Sequence, residues 1–498
     1  MASRVTESGD PTAIGLSPIM RRRWLAWPVT EVKRALEGPI VRNAASLYGA
    51  TVITSLLGFI YWFVAARLVP AQAVGIASAV QSAAQFLGYF CVIGLNTLVI
   101  SELSADKQRA RSLILTAVAS VGVVALVLSA AVAIGLQSLS SAIRQGVHGP
   151  VGLLVFVLLG TLTTVLLVLD DACIGLLRGD LQFKRNAVFA VSKLALLPVL
   201  IWAWASPSGI ELVVAWLSGL VISSMTLGLQ LGKLTRGQPS RLEFRRLLAK
   251  RHLMVGHHWL NLSIQAPRLI LPVLVVLIIG PKANAAFTAA FLVVSFVNVI
   301  PSQLSTVLFA LAPGDEAALR HQVRKTMRIC RLLSIVSAIL FFVFAGLILR
   351  VFGHDYVQAT TALIIIGLTT YPQSLKAHYV AIARVRGRMQ LAAFRTTVGA
   401  GLEIGCAAAG AHVHGLTGLA VGYLVATLTE SVLFAPSVLA VLRAAHAPSR
   451  RSAAPTLSKR RAAHAAPNRR DQRRTGGGEP KDKGADVTVH SDAYRQDR

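Results

Sequence analysis

Well inside apolar stretches of this sequence sit Asp170, Asp171, Lys193, Arg268, Lys376, Glu403 and Glu430. Charge inside an apolar run is costly to keep, and it is normally paired or turned toward water or a ligand. The residue types suggest two kinds of chemistry. Arg268, Lys376 and the weaker candidate Lys193 suit an anion, since a guanidinium forks onto a phosphate and an ammonium meets one as a point charge. Asp170, Asp171, Glu403 and Glu430 suit a proton or sodium ion that is taken up and released. Arg268, Glu403 and Glu430 fall near mid-depth of their stretches, so Arg268 is expected to rest against one of the two glutamates. Asp170 and Asp171 lie at a depth similar to that of Lys193, and either a structural ion pair or a coupling site is expected there.

Uncharged polar groups extend the pattern. His258, Asn261, Gln265 and Arg268 recur at intervals of three and four, so they share one helical face. Pro272 follows on that face and Pro267 lies beside Arg268. Ser295, Asn298, Ser302 and Ser305 form a second stripe around Pro301, and Thr369, Gln373 and Lys376 a third around Pro372. Gln81, Gln85 and Asn96 are further polar positions in an apolar stretch. Such stripes face either other helices, through hydrogen bonds between them, or a water-filled cavity.

The elements that must position these groups are apolar segments. The chain has 498 residues, 54% hydrophobic and only 14% charged, where a soluble domain is about a quarter charged. Roughly 20 apolar residues cross a hydrocarbon core. Twelve such stretches are legible, near 43–66, 75–100, 112–136, 151–177, 187–205, 210–232, 254–279, 285–311, 329–352, 357–382, 391–411 and 416–442. Lys and Arg alternate between the loops. Arg21, Arg22 and Arg23, then Lys107, Arg109 and Arg111, then Arg178, Lys184 and Arg185 mark one side, as do Arg320, Arg324, Lys325 and Arg328 and later Arg384, Arg386 and Arg388. Loops on the other side carry at most one each, such as Arg67, Arg144, Lys282 or Arg350. The positive-inside bias therefore places both termini in the cytoplasm.

The two halves read as repeats. Pro70-Ala-Gln-Ala-Val-Gly and Pro281-Lys-Ala-Asn-Ala-Ala open matching segments, and Arg178-Gly-Asp-Leu-Gln182 matches Arg386-Gly-Arg-Met-Gln390. An even number of spans per half gives both halves the same orientation, with an axis along the membrane normal and a cavity between them. The expected fold is thus an all-α integral membrane protein of about twelve transmembrane helices, in two six-helix lobes around a central cavity. Residues 1–40 form a polar cytoplasmic segment with an amphipathic stretch around Trp24–Leu36, 41–233 the first lobe, and 254–443 the second. Residues 234–253 form a basic linker in which Leu242, Phe244, Leu247 and Leu248 alternate with cations, expected to lie on the membrane as an amphipathic helix. The basic tail 444–498 is expected to be disordered.

Other function classes fare poorly. The net charge of +28 follows from the topology signal and the tail, so lipid headgroups are the expected partners and nucleic acid is not. Cys91, Cys173, Cys330 and Cys406 are scattered without metal or redox spacing. No P-loop, nucleophile elbow, metal motif or cofactor motif is legible, and no enzyme is expected.

Three runs carry a resemblance to a known family: Asn43-Ala-Ala-Ser-Leu-Tyr-Gly with Arg67-Leu-Val-Pro70, Trp259-Leu-Asn-Leu-Ser-Ile-Gln-Ala-Pro-Arg-Leu-Ile-Leu-Pro272, and the stretch ending Gly175-Leu-Leu-Arg-Gly179. Over residues 40–443 the chain resembles the polysaccharide biosynthesis proteins that flip lipid-linked oligosaccharides (Wzx-type flippases), of the multidrug/oligosaccharidyl-lipid/polysaccharide exporter superfamily. The resemblance implies movement of an undecaprenyl-pyrophosphate oligosaccharide from the cytoplasmic to the outer leaflet of a bacterial plasma membrane, by alternating access. It makes Arg268, Lys376 and Lys193 ligands for pyrophosphate, and Gln265, Asn261 and Asn298 partners for sugar hydroxyls. It leaves Asp170, Asp171, Glu403 and Glu430 as coupling candidates, and glycosyltransferases and a polymerase as partners. The polymer served (capsule, exopolysaccharide, lipopolysaccharide O-antigen or wall polymer) stays open. The rival readings are a multidrug exporter of the same superfamily and a flippase for lipid II.

Overall fold

A computed structural model describes residues 39–139, 144, 149–203, 208–245, 255–311 and 316–443. All of them belong to one compact unit, Met1–Ala444. The N-terminal amphipathic stretch, the basic tail and the part of the linker from 246 to 254 lie outside the described residues.

The described residues are helical and contain no β-strand. In order they form α1 (Pro39–Leu68), α2 (Ala71–Cys91), α3 (Leu95–Ala105), α4 (Ala110–Leu139), α5 (Gly149–Gly175), α6 (Gly179–Ala203) and α7 (Ile210–Leu234). The second half comprises α8 (Val255–Ile278), α9 (Pro281–Leu311), α10 (Glu316–Phe352), α11 (Thr360–Gly367), α12 (Thr370–Val385) and α13 (Met389–Arg443). Helix is the form an apolar segment takes when no water is present to bond its backbone, because every interior N–H and C=O is satisfied within the segment. Eight of these helices are long and apolar enough to cross a membrane, and a ninth crossing arises if α2 and α3 count together.

Four of the twelve expected segments differ in shape from a separate single rod. The second is bent by 54° where Ile93 and Gly94 adopt left-handed backbone (φ 46° and 74°) between α2 and α3. The tenth is broken between α11 and α12 at Leu368 and Thr369. The last two are the arms of α13, separated only by non-helical backbone at His414 and Gly415. The arms run antiparallel: Gly410 lies against Gly418, Cys406 against Gly422, and Gly399 against Glu430.

The outward surface is apolar. Phe342, Val343 and Leu347 on α10 are 73%, 61% and 60% exposed. In water such a face would be an aggregation hazard, and in hydrocarbon it is the required surface. Inside, small residues let helices approach. Gly75 on α2 leaves no room for a methyl group against the Pro281 carbonyl of α9. Asn284 donates to the Gly75 carbonyl (2.7 Å) and to Ser78 Oγ (2.9 Å). The two repeated Pro-initiated segments therefore close on each other, and α2 also packs along α8.

Residues 238–243, ahead of the helical residues Phe244 and Arg245, form neither helix nor strand and are fastened to α4: Gln238 accepts from the Arg111 N–H, the Ser112 hydroxyl donates to the Pro239 carbonyl, and the Glu243 N–H donates to Thr116.

Candidate functional site

In the second half, a charged cluster joins α12 to both arms of α13. The Lys376 ammonium lies 3.1 Å from Glu403 Oε1 and 3.0 Å from Glu430 Oε2. All three side chains are buried. Gln373, one turn earlier on α12, donates to Glu403 (2.9 Å) and to the Tyr423 hydroxyl (3.0 Å). Glu430 fits because Gly399 faces it, and a methyl there would collide with its carboxylate. Two carboxylates thus share one ammonium, and full ionisation would leave one negative charge over. In a low-dielectric interior that charge calls for a proton or a further cation.

The expected pairing of Arg268 with Glu403 or Glu430 is not what forms, because Lys376 holds both. Both α8 and α12 pack along α13, but Lys376 turns to the two glutamates while Arg268 turns to the cavity. Arg268 is exposed, and among the described residues no carboxylate pairs with it. It borders two adjoining cavities of about 490 and about 270 Å³. The larger is also lined by Lys376, Arg384, Glu403, Gln265 and the Ser295–Asn298–Ser302–Ser305 stripe. Among the described residues, three cations and a single carboxylate therefore line that space. Gln81 and Gln85 line the smaller one.

The remaining polar positions fall as follows. Gln265 donates to the Tyr89 hydroxyl of α2 (3.0 Å), a bridge between the two halves. Asn261 accepts from Arg384 (3.2 Å). Asn298 keeps a buried carbonyl oxygen without a hydrogen-bond partner, an acceptor of the sort a ligand donor would satisfy. Asn96 lies beyond the bend, where its side chain accepts from the Thr97 N–H.

The first half arranges its charges differently from expectation. Asp170 does not pair with Lys193. It forms a two-pronged pair with Arg185, one branch at 3.1 Å, which ties α5 to α6. Arg185 is two turns from Lys193 along α6, and its longer fork reaches the carboxylate first. Asp171 has no ion-pair partner among the described residues. Lys193 lies within a box of rings, its ammonium 3.5 Å from the Trp216 centroid, 4.5 Å from Phe189 and 4.9 Å from Tyr61.

Sequence reasoning missed four participants. Arg384 was assigned to a loop, yet Gln373, Lys376, Val380 and Arg384 follow the same three-four spacing, a signal that extends one stripe by two turns. Arg185 was read only as a topology charge. Tyr423 and the aromatic box carried no local signal, since their partners are distant in sequence.

Comparison with known proteins follows this geometry. The family model "Polysaccharide biosynthesis protein" matches residues 40–318. No curated protein gives a match. Among solved structures, the inward-facing conformation of a multidrug resistance MATE family transporter of the MOP superfamily aligns with a TM-score of 0.62 at 15% identity, covering 78% of this chain and 95% of that one. The outward-facing conformation of such a transporter aligns at 0.55 and 15% identity, covering 81% and 96%. A MOP superfamily transporter from Pyrococcus furiosus, titled for the reverse polarity of its binding pocket, aligns at 0.52 and 15% identity, covering 82% and 96%. These likenesses establish a shared fold. With the family model covering more than half of its length, this multi-pass membrane protein belongs to the polysaccharide biosynthesis protein family.

Proposed function

We propose that the chain is a flippase that carries an undecaprenyl-pyrophosphate oligosaccharide from the cytoplasmic to the outer leaflet of a bacterial cell membrane by alternating access. Its twelve spans form two six-helix lobes with both termini cytoplasmic. The observation that carries this reading is Arg268, a guanidinium exposed to the cavity and, among the described residues, paired with no carboxylate. A cavity faced by Arg268, Arg384 and Lys376 against one carboxylate attracts an anion such as pyrophosphate. Gln265 and the unsatisfied oxygen of Asn298 offer hydrogen bonds to sugar hydroxyls.

The coupling site in this reading is the Lys376 cluster. When Lys376 turns toward a phosphate, Glu403 and Glu430 lose their shared ammonium and take up a proton or cation instead. The positive-inside bias puts the closed end, at Gly75 and Pro281, on the outer side, so the cavity belongs to the cytoplasm-facing state. Glycosyltransferases and a polymerase of the same route are the partners this reading calls for.

The multidrug alternative is disfavoured by the same lining. An organic-cation exporter needs a free acidic group in the cavity, and both glutamates are already held by Lys376; the aromatic lining of the smaller cavity, Trp62, Trp216, Phe287 and Phe296, is the feature that suits such a cation. A lipid II flippase shares the pyrophosphate chemistry and differs only in the sugar.

The test combines depletion with one substitution. Mass spectrometry of lipid-linked sugars in depleted cells should show one undecaprenyl-pyrophosphate oligosaccharide accumulating as its surface polymer disappears. Arg268→Ala should insert normally, stay within about 0.5 kcal/mol of wild-type stability because it loses no ion pair, and fail to export. Full export by that variant would sink the pyrophosphate role, and an unchanged lipid pool would favour the drug exporter.

A further inference from the structure

Lys193 is 2% exposed, and among the described residues no carboxylate pairs with it. Its ammonium instead faces the three rings of Tyr61, Phe189 and Trp216 at 3.5 to 4.9 Å. Those rings are held in place independently of the lysine. Tyr61 donates its hydroxyl to the Leu212 carbonyl at 2.7 Å. Trp216 meets Tyr61 and Phe189 edge-on, with centroids 5.5 and 5.2 Å apart. Gly219 admits the close approach of α7 to Lys193 and Phe189. Trp216 and Trp62 also line the smaller cavity, so the box borders the space that a solute would enter.

Several ring faces converging on one positive charge is the arrangement that recognises quaternary ammonium groups. A residue needed only to fill volume among three aromatic rings would be apolar, because a buried ammonium without an anion is costly. We propose that Tyr61, Phe189 and Trp216 form an organic-cation site that the chain fills with its own Lys193, making Lys193 a specificity-determining residue that bars quaternary ammonium compounds from the smaller cavity. The tethered ammonium outcompetes a free cation because its local concentration is set by the fold rather than by the solution. This inference does not depend on the flippase reading.

The experiment is a titration of purified, detergent-solubilised protein with tetramethylammonium, read by tryptophan fluorescence. Its uncharged counterpart, 3,3-dimethylbutanol, tests whether charge matters. Wild type should give no saturable response. Lys193→Ala should give saturable quenching with affinity for tetramethylammonium at least about tenfold above that for the alcohol, the ratio a cation–π gain of about 1.4 kcal/mol produces. Lys193→Met, which refills the box without charge, should not bind. Adding Trp216→Leu to Lys193→Ala should abolish the response. Equal responses to both probes, no response in a folded Lys193→Ala protein, or wild-type binding as tight as the variant's would each overturn the proposal. Should Lys193→Ala not stay monodisperse, Lys193→Ser provides the same vacated box. Should neither fold, the wild type still decides. Saturable tetramethylammonium quenching that Trp216→Leu removes overturns the proposal, and its absence supports it.

Discussion

Each half of this chain buries a lysine, and the two are accommodated by opposite means. Lys376 sits between two carboxylates at 3.0 and 3.1 Å. Lys193 sits among three rings without a carboxylate. The first arrangement is directional and interdependent: α12 supplies the cation, each arm of α13 supplies an acid, and removing the cation leaves both acids uncompensated. The second rests on ring quadrupoles, each worth about 2 kcal/mol or more when desolvated, and its removal strands no opposite charge. Two lysines of similar burial thus predict different sensitivities.

The largest effect should come from Lys376→Ala. Two buried glutamates would lose the one cation that pairs with them among the described residues, a loss of about 3–5 kcal/mol. A drop in thermal midpoint and absent export are the expected readouts. Combining Lys376→Met with Glu403→Gln and Glu430→Gln should recover most of that stability, because nothing charged is left buried, while export stays absent. A triple variant no more stable than the single one would show that the cluster holds α12 and α13 together by geometry and not by charge compensation.

Gly399→Ala comes next. The added methyl meets the Glu430 carboxylate and should cost about 1–3 kcal/mol, in the range of core overpacking. Pairing it with Glu430→Ala should remove most of that penalty, which a thermal double-mutant cycle would reveal. Additive losses would argue that Gly399 matters for the helix itself.

Lys193→Met should be the mildest, changing stability by less than about 1.5 kcal/mol as a substitution of similar volume. A destabilisation as large as that of Lys376→Ala would break the contrast and point to an anion near the box.

Much of this molecule could be read along the chain. The apolar stretches, the break-prone Pro and Gly positions and the stripes at three-four spacing are local properties, and helices express them directly. Ser295, Asn298, Ser302 and Ser305 fall on one face of α9 for that reason, and all border the larger cavity. The partnerships were less legible. Arg268, Glu403 and Glu430 sit at similar counted depths and α8 does pack along α13, yet depth along a helix says nothing about which way a side chain turns or which rival cation reaches the acids first. Asp170 has three basic candidates on α6, and only the packing of α5 against α6 selects Arg185 over Lys184 and Lys193.

The sequence by itself determined that this chain is a bundle of apolar helices with a basic side and buried polar faces. Hydropathy, charge alternation and helical period act over one to a few turns and need no knowledge of neighbours. Only the tertiary structure decided that Lys376 keeps both glutamates, that Lys193 goes to the rings, and that Arg268 is left facing the cavity. Ion pairing depends on separations of 3 to 4 Å between side chains that are often far apart in sequence, and those separations exist only once the helices have packed.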